Sequence, residues 1–302
     1  MPESTTKPRY AVLLTFFFLT GLLSAFFYYF LTHGIAPSAG RLYNYGVMWS
    51  PGVAALLTAR LFRRDVSGLG WSWPRTPIVA WCYLIPLFYT LAAYLLVWFG
   101  GWGGFPNQDF VAQASVALGW GKLPAWLFVP CLFLFNAIWG MIPGMATALG
   151  EEIGWRGLLV PELARGAGYT QVSLITGIIW AVWHFPILLY GDYNNGAPAW
   201  YGLSCFTLLV VSISFVYTWF RLKTGSLWTG VLLHASHNLF VQTVFTPLTR
   251  DTGPTKYFID EFGIALPVVC LVLAVLFWRK RHALVVTSGK MPAEVVQESR
   301  LR

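Results

Sequence analysis

The sequence predicts an all-α polytopic membrane protein of about eight transmembrane helices, and three observations carry that prediction. Hydrophobic residues make up 57% of the 302-residue chain and charged residues only 11%, against roughly a quarter charged in an average soluble domain. Several apolar stretches reach or approach the ~20 residues that cross a bilayer. The basic residues also fall unevenly on the loops between those stretches. With eight crossings and a cytoplasmic amino terminus, all of the 20 Lys and Arg residues except Arg41, Lys122, Arg250 and Lys256 lie on the inner side. That positive-inside bias puts both termini in the cytoplasm. The +8 net charge is therefore topological, and no nucleic-acid partner is expected. The composition excludes a two-domain soluble protein.

The first span is the apolar run 10–31, too long for a signal h-region and without a convincing cleavage site; the polar residues before it are expected to be disordered. A second span, 42–62, carries Pro51-Gly52 as an expected kink. The basic loop 63–75 follows, with Trp71 and Trp73 as interfacial anchors. The third span is 78–99, and a loop rich in Gly and Trp returns the chain on the outer side. Residues 123–165 are too long for one crossing, since about 42 helical residues extend ~60 Å, twice the hydrocarbon thickness. A break at Pro143-Gly144 is expected, with a re-entrant or interfacial piece before it and a crossing helix after it. Further spans are 169–190, 203–220, 227–246 and 262–278, the last followed by the basic stop Arg279-Lys280-Arg281. The organisation reads as N-terminal helices over 1–123, a core over 124–247, and a last helix with a cytoplasmic tail over 248–302. Cys82, Cys131, Cys205 and Cys270 lie in apolar segments with no close pair, and read as small hydrophobes rather than as a disulfide framework or metal site.

Polar residues inside those spans are few, and each needs a partner. Glu151 and Glu152 lie in Gly-Glu-Glu-Ile-Gly-Trp-Arg-Gly, 150–157. Arg156 is one helical turn beyond Glu152, within pairing distance. Glu151 is turned about 100° away by the 3.6-residue period and needs other partners, which distant histidines could supply. A desolvated carboxylate there suits a general base that activates water. His184 lies in Trp-Ala-Val-Trp-His, 180–184, where Trp180 and Trp183 would wall a dry pocket. His234 and Asn238 stand four residues apart on one helical face and could act as donors to an oxyanion or as polar glue between helices. His237 is rotated away and is assigned no role, nor are His33 and His282. By the rise of 1.5 Å per residue, His184 lies ~18 Å and His234 ~12 Å along their spans from the basic side, a depth Glu151 can match.

Glu-Glu-x-x-x-Arg, aromatic-x-x-x-His and His-x-x-x-Asn in this order resemble the type II CAAX prenyl protease family, whose bacterial members are also called CPBP intramembrane proteases. The resemblance covers about residues 124–247. Its usual second motif begins with Phe, where this chain has Trp180. It implies a conical intramembrane active-site cavity open to the cytoplasmic side. It also implies an endopeptidase in which Glu151 and His184 activate water, His234 and Asn238 stabilise the oxyanion, and Glu152 and Arg156 brace the site. The substrate would be a membrane-anchored protein or peptide, lipidated or not, cut near its C-terminus. A metal-free glutamate mechanism is favoured, because Asn238 is a poor zinc ligand and no His-Glu-x-x-His occurs. Zinc held by Glu151, His184 and His234 is the alternative. Two other classes use the same residues differently: a non-catalytic membrane immunity or scaffold protein, and a proton-coupled transporter. The absence of an internal repeat speaks against the transporter.

Overall fold

The computed structural model describes residues 9–33, 40–191 and 193–284. Lys7, Lys290, Arg300 and Arg302, assigned above to the basic side, lie outside the described residues, as do the polar residues 1–8 and the end of the tail. Among the described residues the regular structure is helical, with one isolated bridge between Gly104 and Arg250. The helices are α1 (Tyr10–Thr32), α2 (Gly40–Leu61), α3 (Thr76–Phe99), α4 (Gln108–Ala117), α5 (Ala125–Ala164), α6 (Tyr169–Tyr190), α7 (Ala199–Thr224), α8 (residues 228–248) and α9 (Ala265–Arg279). Of these, α1, α3, α5, α6 and α7 are long and apolar enough to cross a membrane. This is the helix set of a multi-pass integral membrane protein.

Apart from the short α4, the helices alternate in direction, and side-chain ties mark the two ends of the bundle. At one end Arg9 N donates to Glu162 Oε1 at 2.9 Å and Arg64 Nη2 to Glu162 Oε2 at 2.7 Å. The loop 66–73 is tied across the same end: Leu227 N donates to the Gly70 carbonyl at 2.8 Å, Ser226 Oγ to Ser72 O at 2.6 Å and Trp228 Nε1 to Trp71 O at 2.9 Å. Buried Arg221 reaches Leu69 O, Gly225 O and Arg156 O from within. At the other end Asn195 Nδ2 donates to Lys256 O at 2.7 Å, and Asn107 N to Leu248 O at 2.8 Å. The basic loops cluster at the first end, which these bonds tie together, and a second end is built from the loops 100–107, 193–198 and 249–264.

The expected break at Pro143-Gly144 does not occur. α5 runs through without interruption for 40 residues, and relief comes from a π-helical turn, Asn136–Gly140, just before the proline. Pro143 has no N–H and its ring would crowd the carbonyl one turn back. Widening the turn at that point keeps the chain helical. At 1.5 Å per residue α5 extends about 60 Å, so its first half stands largely outside the packed bundle. Trp126, Leu134, Ile138 and Trp139 are exposed there, while residues from Gly150 to Val160 are buried. α2 likewise continues through Pro51.

Candidate active site

The glutamates are buried because two backbones meet. A Cβ on Gly150 would lie 2.7 Å from Met48 O and from Trp49 Cα, and one on Gly154 would lie 2.6 Å from Pro51 Cβ. Gly-x-x-x-Gly spacing thus lets α2 press directly onto α5, the close packing that small residues permit between membrane helices. Glu151 and Glu152, held between these glycines, are 2% and 0% exposed. A second π-helical turn, Ile153–Leu159, follows at once, and a third, Leu239–Phe245, follows Asn238. Each extra residue rotates the helix beyond it, and such turns concentrate at functional sites.

Glu151 is held by indoles. Trp180 Nε1 donates to Glu151 Oε2 at 2.8 Å, and Trp155 Nε1 to the same oxygen at 3.3 Å. Oε1 takes no hydrogen bond from the described residues and is not sealed from open space. Glu152 is bound differently: Arg156 Nη1 donates to its Oε1 at 2.9 Å, and His234 Nδ1 lies 3.1 Å from the same atom. The Arg156 guanidinium is sandwiched 4.4 Å from the ring centroids of both Trp180 and Tyr217. Cation–π contacts on both faces offset part of the cost of burying that charge. Of the distant histidines that could have partnered Glu151, His234 pairs with Glu152, and tryptophans serve Glu151.

His184 Nδ1 is 2.9 Å from the Trp180 carbonyl. Only an N–H can meet a carbonyl there, so Nε2 is the free nitrogen of the neutral ring. Trp183 packs edge-on against His184, with centroids 4.7 Å apart. It is fixed in turn by α1, where Ser24 Oγ accepts from its indole at 2.8 Å and the Tyr28 hydroxyl donates to its carbonyl at 2.7 Å.

Glu151, Trp180, Trp183, His184, His234 and Asn238 all border one cavity of about 480 Å³. Glu152 and Arg156 lie behind it. The cavity extends from Glu151 to Tyr193, Gln242 and Glu261, with Arg156 outside its lining. No residue of the basic loop 66–73 lines the cavity. His237 is turned from the Glu152 pair, as its rotation suggested, but borders the cavity at this far end. Its Nε2 lies 2.8 Å from Glu261 Oε1 and its Nδ1 2.5 Å from the Tyr89 hydroxyl. The Tyr193 hydroxyl also donates to Glu261, and Gln242 Nε2 does so at 3.3 Å.

Among the described residues no three His, Cys, Asp or Glu side chains are disposed to hold one metal ion. That includes Glu151, His184 and His234. Glu151 Oε2 is occupied by two indole donors, and His234 turns its Nδ1 to Glu152.

Residues 125–240 match the family described as type II CAAX prenyl endopeptidase, Rce1-like. The core of the chain is thus similar to that family. "CAAX prenyl protease 2" of Methanococcus maripaludis is 31% identical over 153 residues, 48% of this chain and 49% of that protein. "Uncharacterized protein YyaK" of Bacillus subtilis is 31% identical over 111 residues, 36% of this chain and 33% of that protein. The matches thus span half or less of each relative's length. The Rce1-like segment holds Glu151, Glu152, Arg156, Trp180, His184, His234 and Asn238, whereas Tyr28, Glu261 and Gln242 reach the cavity from outside it. At the aromatic position of the second motif, Trp180 supplies a hydrogen-bond donor to Glu151 that phenylalanine lacks.

Sequence reading missed several of these residues. Trp155 is one helical turn from Glu151, a signal that was present. Glu261 is an acid at the edge of an apolar stretch, also a visible signal. Tyr28, Tyr89 and Tyr193 gave none, because aromatic residues crowd every span.

Proposed function

We propose that this Rce1-like protein is an intramembrane endopeptidase that hydrolyses a peptide bond near the C-terminus of a membrane-anchored or lipidated protein. The observation that carries this reading is the convergence of Glu151, His184, His234 and Asn238 on one cavity. The family match and the name of the archaeal relative support the substrate class.

Glu151 acts as the base through Oε1, while the two indoles hold Oε2 and fix the carboxylate's direction. A water between Oε1 and His184 Nε2 loses a proton to Glu151 as its oxygen attacks the peptide carbonyl carbon. The proton then passes to the leaving nitrogen, so the carboxylate is regenerated when the C–N bond breaks. Asn238 Nδ2–H and, in its imidazolium form, His234 Nε2–H face the developing oxyanion. Glu152 accepts from His234 Nδ1 and so keeps the other ring nitrogen toward the substrate. Arg156 balances the Glu152 charge. The mechanism is read as metal-free on the donor geometry at Glu151.

Both termini and the basic end are assigned to the cytoplasm by the charge bias. The cavity then runs toward the opposite face, which revises the cytoplasmic opening expected from the sequence.

The test is cleavage of a membrane-anchored peptide by purified protein in lipid nanodiscs, with products identified by mass spectrometry. Cleavage by the parent, with and without a zinc chelator, and its loss in Glu151→Ala and His184→Ala are expected. Cleavage that persists in both variants would falsify the reading, and loss on chelation would overturn its metal-free form.

A further inference from the structure

The far end of the cavity holds a carboxylate with no cation. Glu261 is 4% exposed and borders the cavity. Its described donors are Tyr193 O–H, Gln242 Nε2 and His237 Nε2. The hydrogen-bond inventory decides the charge of that imidazole. Tyr89 is buried, and among the described residues its hydroxyl meets only His237 Nδ1. With Tyr89 donating its one O–H, Nδ1 accepts, and Nε2 carries the single proton of a neutral ring. Gln242 Nε2 also donates to the Tyr193 oxygen at 2.9 Å, leaving the Tyr193 proton for Glu261. The three groups that donate to the carboxylate, Tyr193 O–H, Gln242 Nε2 and His237 Nε2, are then all neutral.

Among the described residues no Lys or Arg borders the cavity, whereas Glu151, its other carboxylate, also rests on neutral indole donors. The two other buried carboxylates in the bundle are treated otherwise: Glu152 is paired with Arg156, and Glu162 with Arg64 and Arg165. A buried carboxylate is stabilised most by an opposite charge. Here the only open place for one is the cavity. The next residue points the same way, since burial and the Glu261 charge push the Asp260 carboxyl up to about 7.

We propose that the Glu261 end of the cavity is a binding subsite for a cationic group, the side chain of a lysine or arginine in a peptide. Tyr193 and Gln242 hold Glu261 in place from the loop after α6 and from α8, and the cation completes the site from the cavity. The identification of the cation's carrier as a peptide rests on the endopeptidase reading; the charge preference does not. It disfavours a substrate whose carboxylate would have to enter this end.

The experiment measures binding, so that it is separate from cleavage. Fluorescent membrane-anchored peptides with lysine, norleucine or glutamate walked through the positions beside the anchor are titrated onto the full-length protein bearing Glu151→Gln, which does not consume them. At one position the lysine peptide is expected to bind about 10- to 100-fold tighter than norleucine, the worth of one charge-assisted hydrogen bond, with glutamate weakest. Adding Glu261→Gln should erase the preference. Equal binding of lysine and norleucine at every position overturns the proposal, as does a preference that survives Glu261→Gln. If that variant does not fold, the ranking in the Glu151→Gln protein decides alone. Lysine-selective binding without cleavage by the parent would sink the endopeptidase reading only; cleavage without selectivity would sink the subsite only.

Discussion

Replacing Arg156 by methionine should unfold the protein more readily than any change at Glu151. Arg156 is 0% exposed, its Nη1 lies 2.9 Å from Glu152 Oε1, and the guanidinium lies 4.4 Å from two ring centroids. Methionine fills much of the same volume between Trp180 and Tyr217, so the main loss is charge. Glu152, itself 0% exposed, would keep only His234 as a partner. Breaking one member of a buried pair typically costs about 3–5 kcal/mol, a fall in Tm on the order of 10 °C for a chain of this size. Removing both charges, as Glu152→Gln with Arg156→Met, should recover most of that loss, because no uncompensated ion remains. The assay is thermal unfolding in detergent, followed by tryptophan fluorescence for the parent, both singles and the double. A shift of Arg156→Met below about 2 °C, or a double variant less stable than Arg156→Met, would refute the view that this arginine exists to balance Glu152.

Trp180→Phe keeps the ring beside Arg156 but deletes the 2.8 Å donor to Glu151; it should cost about 1–3 kcal/mol in thermal unfolding and slow peptide cleavage while leaving the protein folded. Gly150→Ala puts a methyl 2.7 Å from the α2 backbone, and the resulting separation of α2 and α5 should cost about 1–3 kcal/mol, read by the same melt. The pH dependence of stability should carry the mark of Asp260. Its folded pKa of about 7 lies above the ordinary 3.8, so ionisation costs stability, and Tm should fall as pH rises between those values, by up to a few kcal/mol in stability. Glu261 works with the opposite sign, its pKa lowered despite burial by the His237 and Tyr193 hydrogen bonds, and its contribution is lost only at lower pH. Asp260→Asn should flatten the decline toward pH 7; an unchanged slope would show that another group causes it.

Much of the fold was legible because bilayer-length apolar runs and loop charge are properties of the chain itself. The helices at 10–32, 76–99 and 169–190 sit within a few residues of their apolar runs. The stretch 123–165 was not legible in the same way. Proline reads as a breaker in sequence, and only packing decides whether a wide turn absorbs it, as at Asn136–Gly140. The candidate site was legible in its members, since Glu151, His184, His234 and Asn238 are polar residues in oily surroundings. It was not legible in its pairings. A 3.6-residue period sets Glu151 and Glu152 about 100° apart but does not say which of them faces α8, and it is Glu152 that His234 meets.

The most direct measurement compares two isosteric substitutions on adjacent residues in the same peptide-cleavage assay. Glu151→Gln removes the proposed base while keeping an oxygen for the indoles, and should lower the cleavage rate by about 10²–10⁴-fold with Tm nearly unchanged. Glu152→Gln should instead lower Tm and retain more of the rate per folded molecule. A Glu151→Gln protein that folds and cleaves as fast as the parent would contradict the account.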